Sequence, residues 1–466
     1  MLFNSYEFIF LFLPLTFFVY FILNKKRLIT LSKSWLVLTS LCFYAWWNVS
    51  YLPLILISVL VNFSLSLTML NYDKYKKIYF SKKFIFIAGL VFNVALLGYF
   101  KYMDFFIGNV NFLFGFNVEL LHIILPLAIS FFTLQQVAYL VDAYEDLVQE
   151  RNFLDYILFV SFFPQLISGP IVHHSEMMPQ FNKLKNKIVN FNNIICGIFI
   201  FSLGLFKKVV IADTFALWAT HGFSNSENIT FLDSWVTSLS YTFQLYYDFS
   251  GYTDMAIGAA LLFNIVLPIN FNSPFKSLSI IEFWQRWHMT LTRFITTYMY
   301  TAMLKSFDKV TFNKAMAVTF FTMTIAGIWH GAAWTIMLFG MLHGLALVIN
   351  HIWRKQKIKT NKFLAWFLTF NLVNISFVLF RAESYENAKD IIFGMFNILT
   401  FGLDDFDIQI TLMIIAAFIV VFAFKNSIEL IAKFKFSIYT LFWTIFMMFF
   451  SIILLSRPSE FIYFNF

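Results

Sequence analysis

Apolar runs about as long as a bilayer is thick recur from one end of this chain to the other. That repetition constrains the fold more than any single residue. The runs cover 5–23, 34–48, 51–70, 84–100, 120–140, 191–212, 231–263, 363–380, 409–424 and 437–455. A helix needs roughly 20 apolar residues to span the hydrocarbon core, whereas a barrel strand needs about 10 and alternates in polarity. Long unbroken runs therefore predict an all-α polytopic membrane protein and exclude a barrel. Composition agrees, since 12% of the 466 residues are charged, against about 25% in soluble domains. With the central stretch 268–344, the runs predict a bundle of about eleven to twelve transmembrane helices. They form one domain over residues 1–466, with a core at about 120–350.

The net charge of +8 belongs to the loops of such a protein, so a lipid bilayer and no nucleic acid is the expected partner. Basic clusters at Lys25, Lys26 and Arg27, at Lys82 and Lys83, at Lys183, Lys185 and Lys187, at Arg354 and Lys355, and at Lys433 and Lys435 mark cytoplasmic loops. Alternating the spans between them puts both termini outside. The first run lacks a positive leader and a small-residue cleavage site, so it is read as a retained span. Pro164, Gly169 and Pro170 break one short apolar stretch at 160–172, and Pro268 and Pro274 break another at 265–280. Both are expected to be re-entrant, because irregular backbone survives at membrane depth only where protein or water satisfies it. Cys42 and Cys196 lie in apolar runs and are expected as small core residues. No metal site is expected.

Against this background, residues 268–344 collect groups that lipid would punish. His288 follows Trp287, and His330 follows Trp329. An ionisable residue at this depth is expensive and is a functional candidate by default. Ser279 and Glu282 have capping-box spacing, and Glu282 and Arg286 stand one helical turn apart, a favourable pair. A blander reading makes Trp284 and Trp287 headgroup anchors of an interfacial helix. Gly327 and Gly331 flank His330, and Gly340 and Gly344 flank His343. Small residues at that spacing let helices approach closely and would hold His330 inside the bundle. A buried neutral imidazole is the usual general base, and the rival reading is a simple interhelical hydrogen bond. His343 is expected to serve packing or to support the catalytic pair from behind. Asp248 and Asp254 face different ways, so they are not paired as acid and base. Asp248 is expected to hold an arginine, a histidine or a backbone turn near Gly251. Gln135 and Gln136 are read either as interhelical hydrogen-bonders or as a cavity lining. His173 and His174 are read as exposed residues at the surface or the headgroups.

WHGAAW at 329–334, PINFNSPF with the following SLSIIEFWQRWHMTLTRF, and YYDFSGYTDMAIG at 246–258 together resemble the membrane-bound O-acyltransferase family. The resemblance is narrower to its bacterial branch that acylates cell-envelope polymers. The opening LFNSYEFIFLFLPLTFFVYF and the closing FIYFNF carry it nearly end to end. It implies a helical bundle around a central funnel, in a bacterial inner membrane. It implies that His330 is the catalytic histidine and His288 the second essential one. Asp248, Asn270, Glu282, Arg286 and Trp329 are expected to support them. The donor would be an acyl thioester, expected to be acetyl-CoA, arriving from the cytoplasm, with no tightly bound cofactor. The re-entrant segments would build its vestibule. Peptidoglycan is the first acceptor implied, an alginate-like exopolysaccharide the second, and D-alanyl transfer to teichoic acid the third. An SGNH-type O-acetyltransferase outside would complete the transfer. Tyr463, in an exocytoplasmic tail at 457–466, is expected either to relay the acyl group or to sit in an interfacial aromatic belt. A secondary transporter is the rival class, but it predicts a repeat of the two halves, which the sequence does not display. A structural scaffold would leave the buried histidines unexplained.

Overall fold

The computed structural model describes residues 1–74, 80–148, 151–402, 407–457 and 462. All regular structure among these residues is helical. Six helical segments among them are long and apolar enough to cross a membrane: Phe8–Lys25, Val49–Leu70, Lys82–Phe114, Phe191–Ser224, Trp334–Lys355 and Lys362–Arg381. Shorter apolar helices span Ile29–Ala45, Ile408–Ala423 and Ile438–Leu454. The chain is a polytopic, all-α membrane protein.

The Phe231–Leu262 helix runs through the middle, and Ser240 to Leu262 is buried without a break. Against it, the Phe191–Phe206 helix comes close enough that a Cβ on Gly258 would sit 2.6 Å from the Gly197 carbonyl oxygen. A Cβ on Gly251 would sit 2.7 Å from the carbonyl of Gly204. Lipid gives helices no hydrophobic reason to associate, so such backbone contact supplies van der Waals attraction instead. The second close crossing joins Gly327 to Gly340, where an added Cβ on Gly327 would meet the Gly340 Cα at 2.7 Å. Of the expected Gly327 and Gly331 motif, only Gly327 lies at the helix crossing. Gly331 lies past the helix end in extended conformation, and its partner in space is the Ile336 side chain.

Several span boundaries differ from expectation, among them the end of the 191–212 run, which continues to Ser224 through a π-helical turn. The run expected at 84–100 continues to Phe114 through a π-helical turn at Gly98–Tyr102, and Gly115 stops it with φ 67°. The run expected to begin at 120 becomes helical only at Ile129, after Pro126 and a left-handed Ala128. Proline removes a backbone donor, and a left-handed residue cannot continue a right-handed helix. Trp284 and Trp287 are buried, so neither is a headgroup anchor. Cys42 is exposed while Cys196 is buried, so only the latter is a core residue.

The irregular segments are largely buried, and neighbouring side chains satisfy part of their backbone. The Phe163 amide donates to Ser40 Oγ at 3.0 Å, and the Ile171 amide to Thr290 Oγ1 at 3.0 Å. Gln180 bonds both backbone groups of Val266, at 2.8 and 3.0 Å. Lys25, Arg27 and Lys187 line one groove, and Lys33 pairs with Asp155 at 2.6 Å. These contacts gather basic loops at one end of the bundle, here termed the basic face. Tyr6 Oη donates to the Ile452 carbonyl at 2.9 Å, which brings the first helix and the last one together.

Candidate active site

The stretch between Leu262 and Ile280 cannot be helical throughout, because Pro268 and Pro274 interrupt it, and Ser273 adopts φ 48°. It threads Asn270, fully buried, beneath His288. His288 itself has φ 43°, a strained backbone for a residue with a Cβ. Such strain persists only where the surroundings over-determine it. The surroundings here are explicit. Asn270 Oδ1 accepts the Thr290 amide at 3.2 Å and the Thr290 hydroxyl at 2.9 Å, and lies 3.1 Å from His288 Nδ1. The Met289 amide donates to the Asn270 carbonyl at 3.0 Å.

These bonds fix the imidazole tautomer. A backbone N–H needs an acceptor, so the side-chain atom facing Thr290 is the amide oxygen of Asn270. That oxygen can only accept. His288 therefore carries its proton on Nδ1 and presents Nε2 as a bare lone pair. Nε2 is buried and has no hydrogen-bond partner among the described residues.

His330 ends the Phe312–His330 helix and shares the pocket, with 6.2 Å between the two imidazole centroids. Trp329, Phe380 and Phe339 wall it at 5.0, 5.3 and 6.4 Å, and Phe249 stands edge-on to His288 at 4.8 Å. Trp329 Nε1, a donor only, has no partner among the described residues. The aromatic shell encloses the bare acceptor of His288 and the N–H of Trp329.

Lys101 was not singled out by sequence reasoning. It lies on the π-helical turn and reaches the Trp329 carbonyl at 2.6 Å, the His330 carbonyl at 3.1 Å and Ser130 Oγ at 3.1 Å. A cation on the last carbonyls of a helix satisfies orphan acceptors and complements the dipole. Here it also fixes where His330 stands. The available signal was a solitary lysine within a long apolar run.

A cavity of about 340 Å³ lies against Lys101, Asp104 and Gly331–Ala333, at the end of the Trp334–Lys355 helix away from its basic residues. Towards the basic face, a small chamber touches Asn270 and is lined by Ser250, Thr253, Lys207 and Asp254. Ser250 Oγ, Thr253 Oγ1 and Asn270 Nδ2 have no partner among the described residues. The chamber shares Lys207, Tyr246, Asn426 and Ser427 with a cleft of about 410 Å³ that also reaches Lys425.

The remaining candidates separate. Arg286 pairs with Glu282 at 2.9 Å and donates to the Asn272 carbonyl at 3.1 Å. Ser279 caps the Glu282 amide as expected, but the Glu282 carboxylate returns to the Leu278 amide, one residue before the cap. This pair braces the 272–286 loop. Asp248 holds a lysine in place of the expected arginine, histidine or turn. Lys208 lies 2.8 Å from Asp248 and 2.7 Å from Asp213; Lys208 and Asp248 are buried and Asp213 is half-buried. Lys208 is the nearer cation because a π-helical turn at Lys207–Ala212 points it at the central helix. Asp248 also accepts the Ile462 amide at 3.4 Å. Tyr463, the next residue, lies outside the described residues.

His343 accepts from Trp284 Nε1 at 3.2 Å and meets Ser376 Oγ at 2.8 Å, which commits both ring nitrogens to packing. His173 and His174 are not exposed. His174 packs between Tyr139 and Phe159, and His173 bonds Tyr298, which donates to Asp142. Gln136 makes interhelical bonds to Ser58 and Tyr156.

The chain is similar in sequence to known proteins. A family model described as MBOAT, membrane-bound O-acyltransferase family, matches residues 41–382, which include both histidines. A peptidoglycan O-acetyltransferase of Helicobacter pylori is 49% identical over 427 residues, covering 85% of this chain and 80% of that protein. A probable alginate O-acetylase of Azotobacter vinelandii is 35% identical, covering 91% and 83%. A teichoic acid D-alanyltransferase of Streptococcus thermophilus is 28% identical, covering 54% and 68%. On these matches the chain belongs to the membrane-bound O-acyltransferase family and is an O-acyltransferase.

Proposed function

We propose that this enzyme moves an acetyl group from a cytoplasmic thioester, acetyl-CoA, across a bacterial inner membrane for O-acetylation of peptidoglycan. The observation that carries the reading is the buried histidine pair, with a bare His288 Nε2, lying between a cavity at one end of the bundle and a polar chamber towards the other. The basic face would be cytoplasmic, so the donor would arrive past Asn270 and the acceptor through the cavity beside Lys101. The relative of highest identity quoted above acts on peptidoglycan by its name, which favours that polymer over an alginate-like one.

In the reaction, an acceptor hydroxyl attacks the thioester carbonyl, an O–C bond forms and the C–S bond breaks. His330 takes the hydroxyl proton as general base and returns it to the departing thiolate. His288, protonated on Nδ1, accepts through Nε2 and orients the hydroxyl or the second imidazole. That tautomer argues against Nε2 as a donor to an oxyanion. Trp329 Nε1 is the better group for the carbonyl oxygen. Asp248 anchors the tail at Ile462, which would hold Tyr463 as a first acceptor before an SGNH-type partner outside passes the acetyl group to sugar.

Membranes carrying wild type or His330→Ala, with expression matched, should be given labelled acetyl-CoA. Label reaching the chain or its partner only with wild type is expected. Equal labelling would sink the role of His330, and full polymer acetylation in Tyr463→Phe would sink the relay. Absence of label in both would redirect the donor to a carrier-protein thioester.

A further inference from the structure

A groove of about 990 Å³ runs between the first helix and the 184–194 segment, away from the histidines. Its floor is apolar, with Phe17, Phe21, Ile22, Ile188 and Phe191 among its lining residues. Its rim carries Lys25, Arg27 and Lys187 and no carboxylate. None of the three cations has an ion pair among the described residues. Asp155, whose charge reaches Lys187, is already held by Lys33 at 2.6 Å.

Positive loops at one membrane face are ordinary, and cations at a helix end stabilise its dipole. Two features go beyond that. Lys187 comes from a different element than Lys25 and Arg27, yet lines the same groove. Arg27 also occupies the left-handed position after the helix, with φ 59°, where glycine is the usual residue. The chain accepts a conformational cost there and keeps a guanidinium at the rim. Ile188 and Phe191 beside it are 69% and 73% exposed, which suits contact with acyl chains and not with water.

We infer that this groove is a binding site for one anionic glycerophospholipid of the leaflet at the basic face. The phosphate lies among Lys25, Arg27 and Lys187, and the acyl chains lie on the phenylalanine floor. Charge complementarity selects the occupant, since a zwitterionic headgroup brings an ammonium group to a rim with no carboxylate. The site is tied to the catalytic region through Asn264. Its side-chain amide donates to the carbonyls of Asn186 and Ile188 at 3.0 and 2.8 Å, and accepts from Asn193 at 2.9 Å. Asn264 begins the segment that carries Asn270.

The wild-type chain, reconstituted in phosphatidylcholine vesicles with a few per cent of diazirine-tailed phosphatidylglycerol, should crosslink at 17–29 and 184–194. Unlabelled phosphatidylglycerol should compete, and extra phosphatidylcholine should not. Crosslinks spread around the lipid-facing belt, or equal competition by both lipids, would overturn the site. In native mass spectrometry, Lys25→Gln/Arg27→Gln/Lys187→Gln should bind phosphatidylglycerol roughly a hundredfold more weakly, at about fivefold per charge. Lys425→Gln/Lys433→Gln/Lys435→Gln should bind it as wild type does. Equal loss in both variants would reduce the effect to general surface charge. These readouts do not depend on acyl transfer, so they stand apart from the reaction proposed above.

Discussion

Asn270 makes the sharpest single-residue case, because one amide oxygen serves His288, the Thr290 amide and the Thr290 hydroxyl. In Asn270→Ala the imidazole is free to change tautomer, and acyl transfer should fall at least tenfold. The lost bonds should cost about 1–3 kcal/mol of stability, read as a lower unfolding temperature in detergent. Lys101→Met should also lower turnover, since it removes a charged donor from two backbone carbonyls, each such bond contributing about 1.5–3 kcal/mol. Lys101→Arg, which keeps the charge, should restore part of the loss. A purely structural lysine would lower stability without changing turnover per folded molecule. The histidines could be read from the sequence because each follows a tryptophan in a polar patch that lipid does not tolerate. Lys101 could not. Its partners are carbonyls 228 and 229 residues away, and a carbonyl leaves no mark in a sequence.

Among the elements, the glycine crossings set the spacing of the bundle. Gly251→Ala would place a Cβ 2.7 Å from the Gly204 carbonyl oxygen. Overpacking of this kind typically costs about 1–3 kcal/mol, and a thermal melt should show it. Gly108, also inside a helix and with open space around it, is the matched control, and Gly108→Ala should melt at or slightly above wild type, since alanine favours a helix by about 0.5–1 kcal/mol. Helix interiors were legible from the length of their apolar runs. Ends were less so, because residues 120–128 are as apolar as a span, yet Pro126 and left-handed Ala128 delay the helix to Ile129. The small-residue motif at His330 was legible as a motif but not in its pairing. Which glycine meets which depends on the crossing of two helices, not on spacing within one.

At the scale of the molecule, the two cysteines offer a direct check on the lipid-facing surface. Cys42 is exposed and Cys196 buried, so a membrane-soluble maleimide should label the first in the folded protein and both after denaturation. Labelling of Cys196 in the native state would contradict the packing around the Phe191–Phe206 helix. The fold class followed from composition and run length alone. The groove at Lys25, Arg27 and Lys187 did not, because it is assembled from segments about 160 residues apart in sequence.

The cavity beside Lys101 and the chamber beneath Asn270 approach each other from opposite ends, and the two imidazoles with their aromatic shell stand between them. A membrane under voltage cannot tolerate a wet path through such a place. If the histidine pair is the reaction centre proposed above, that centre doubles as the seal that keeps the bilayer an insulator. His288→Gly should open that seal. Vesicles holding the variant should dissipate an imposed pH gradient faster than wild-type vesicles, whether or not any acyl donor is present.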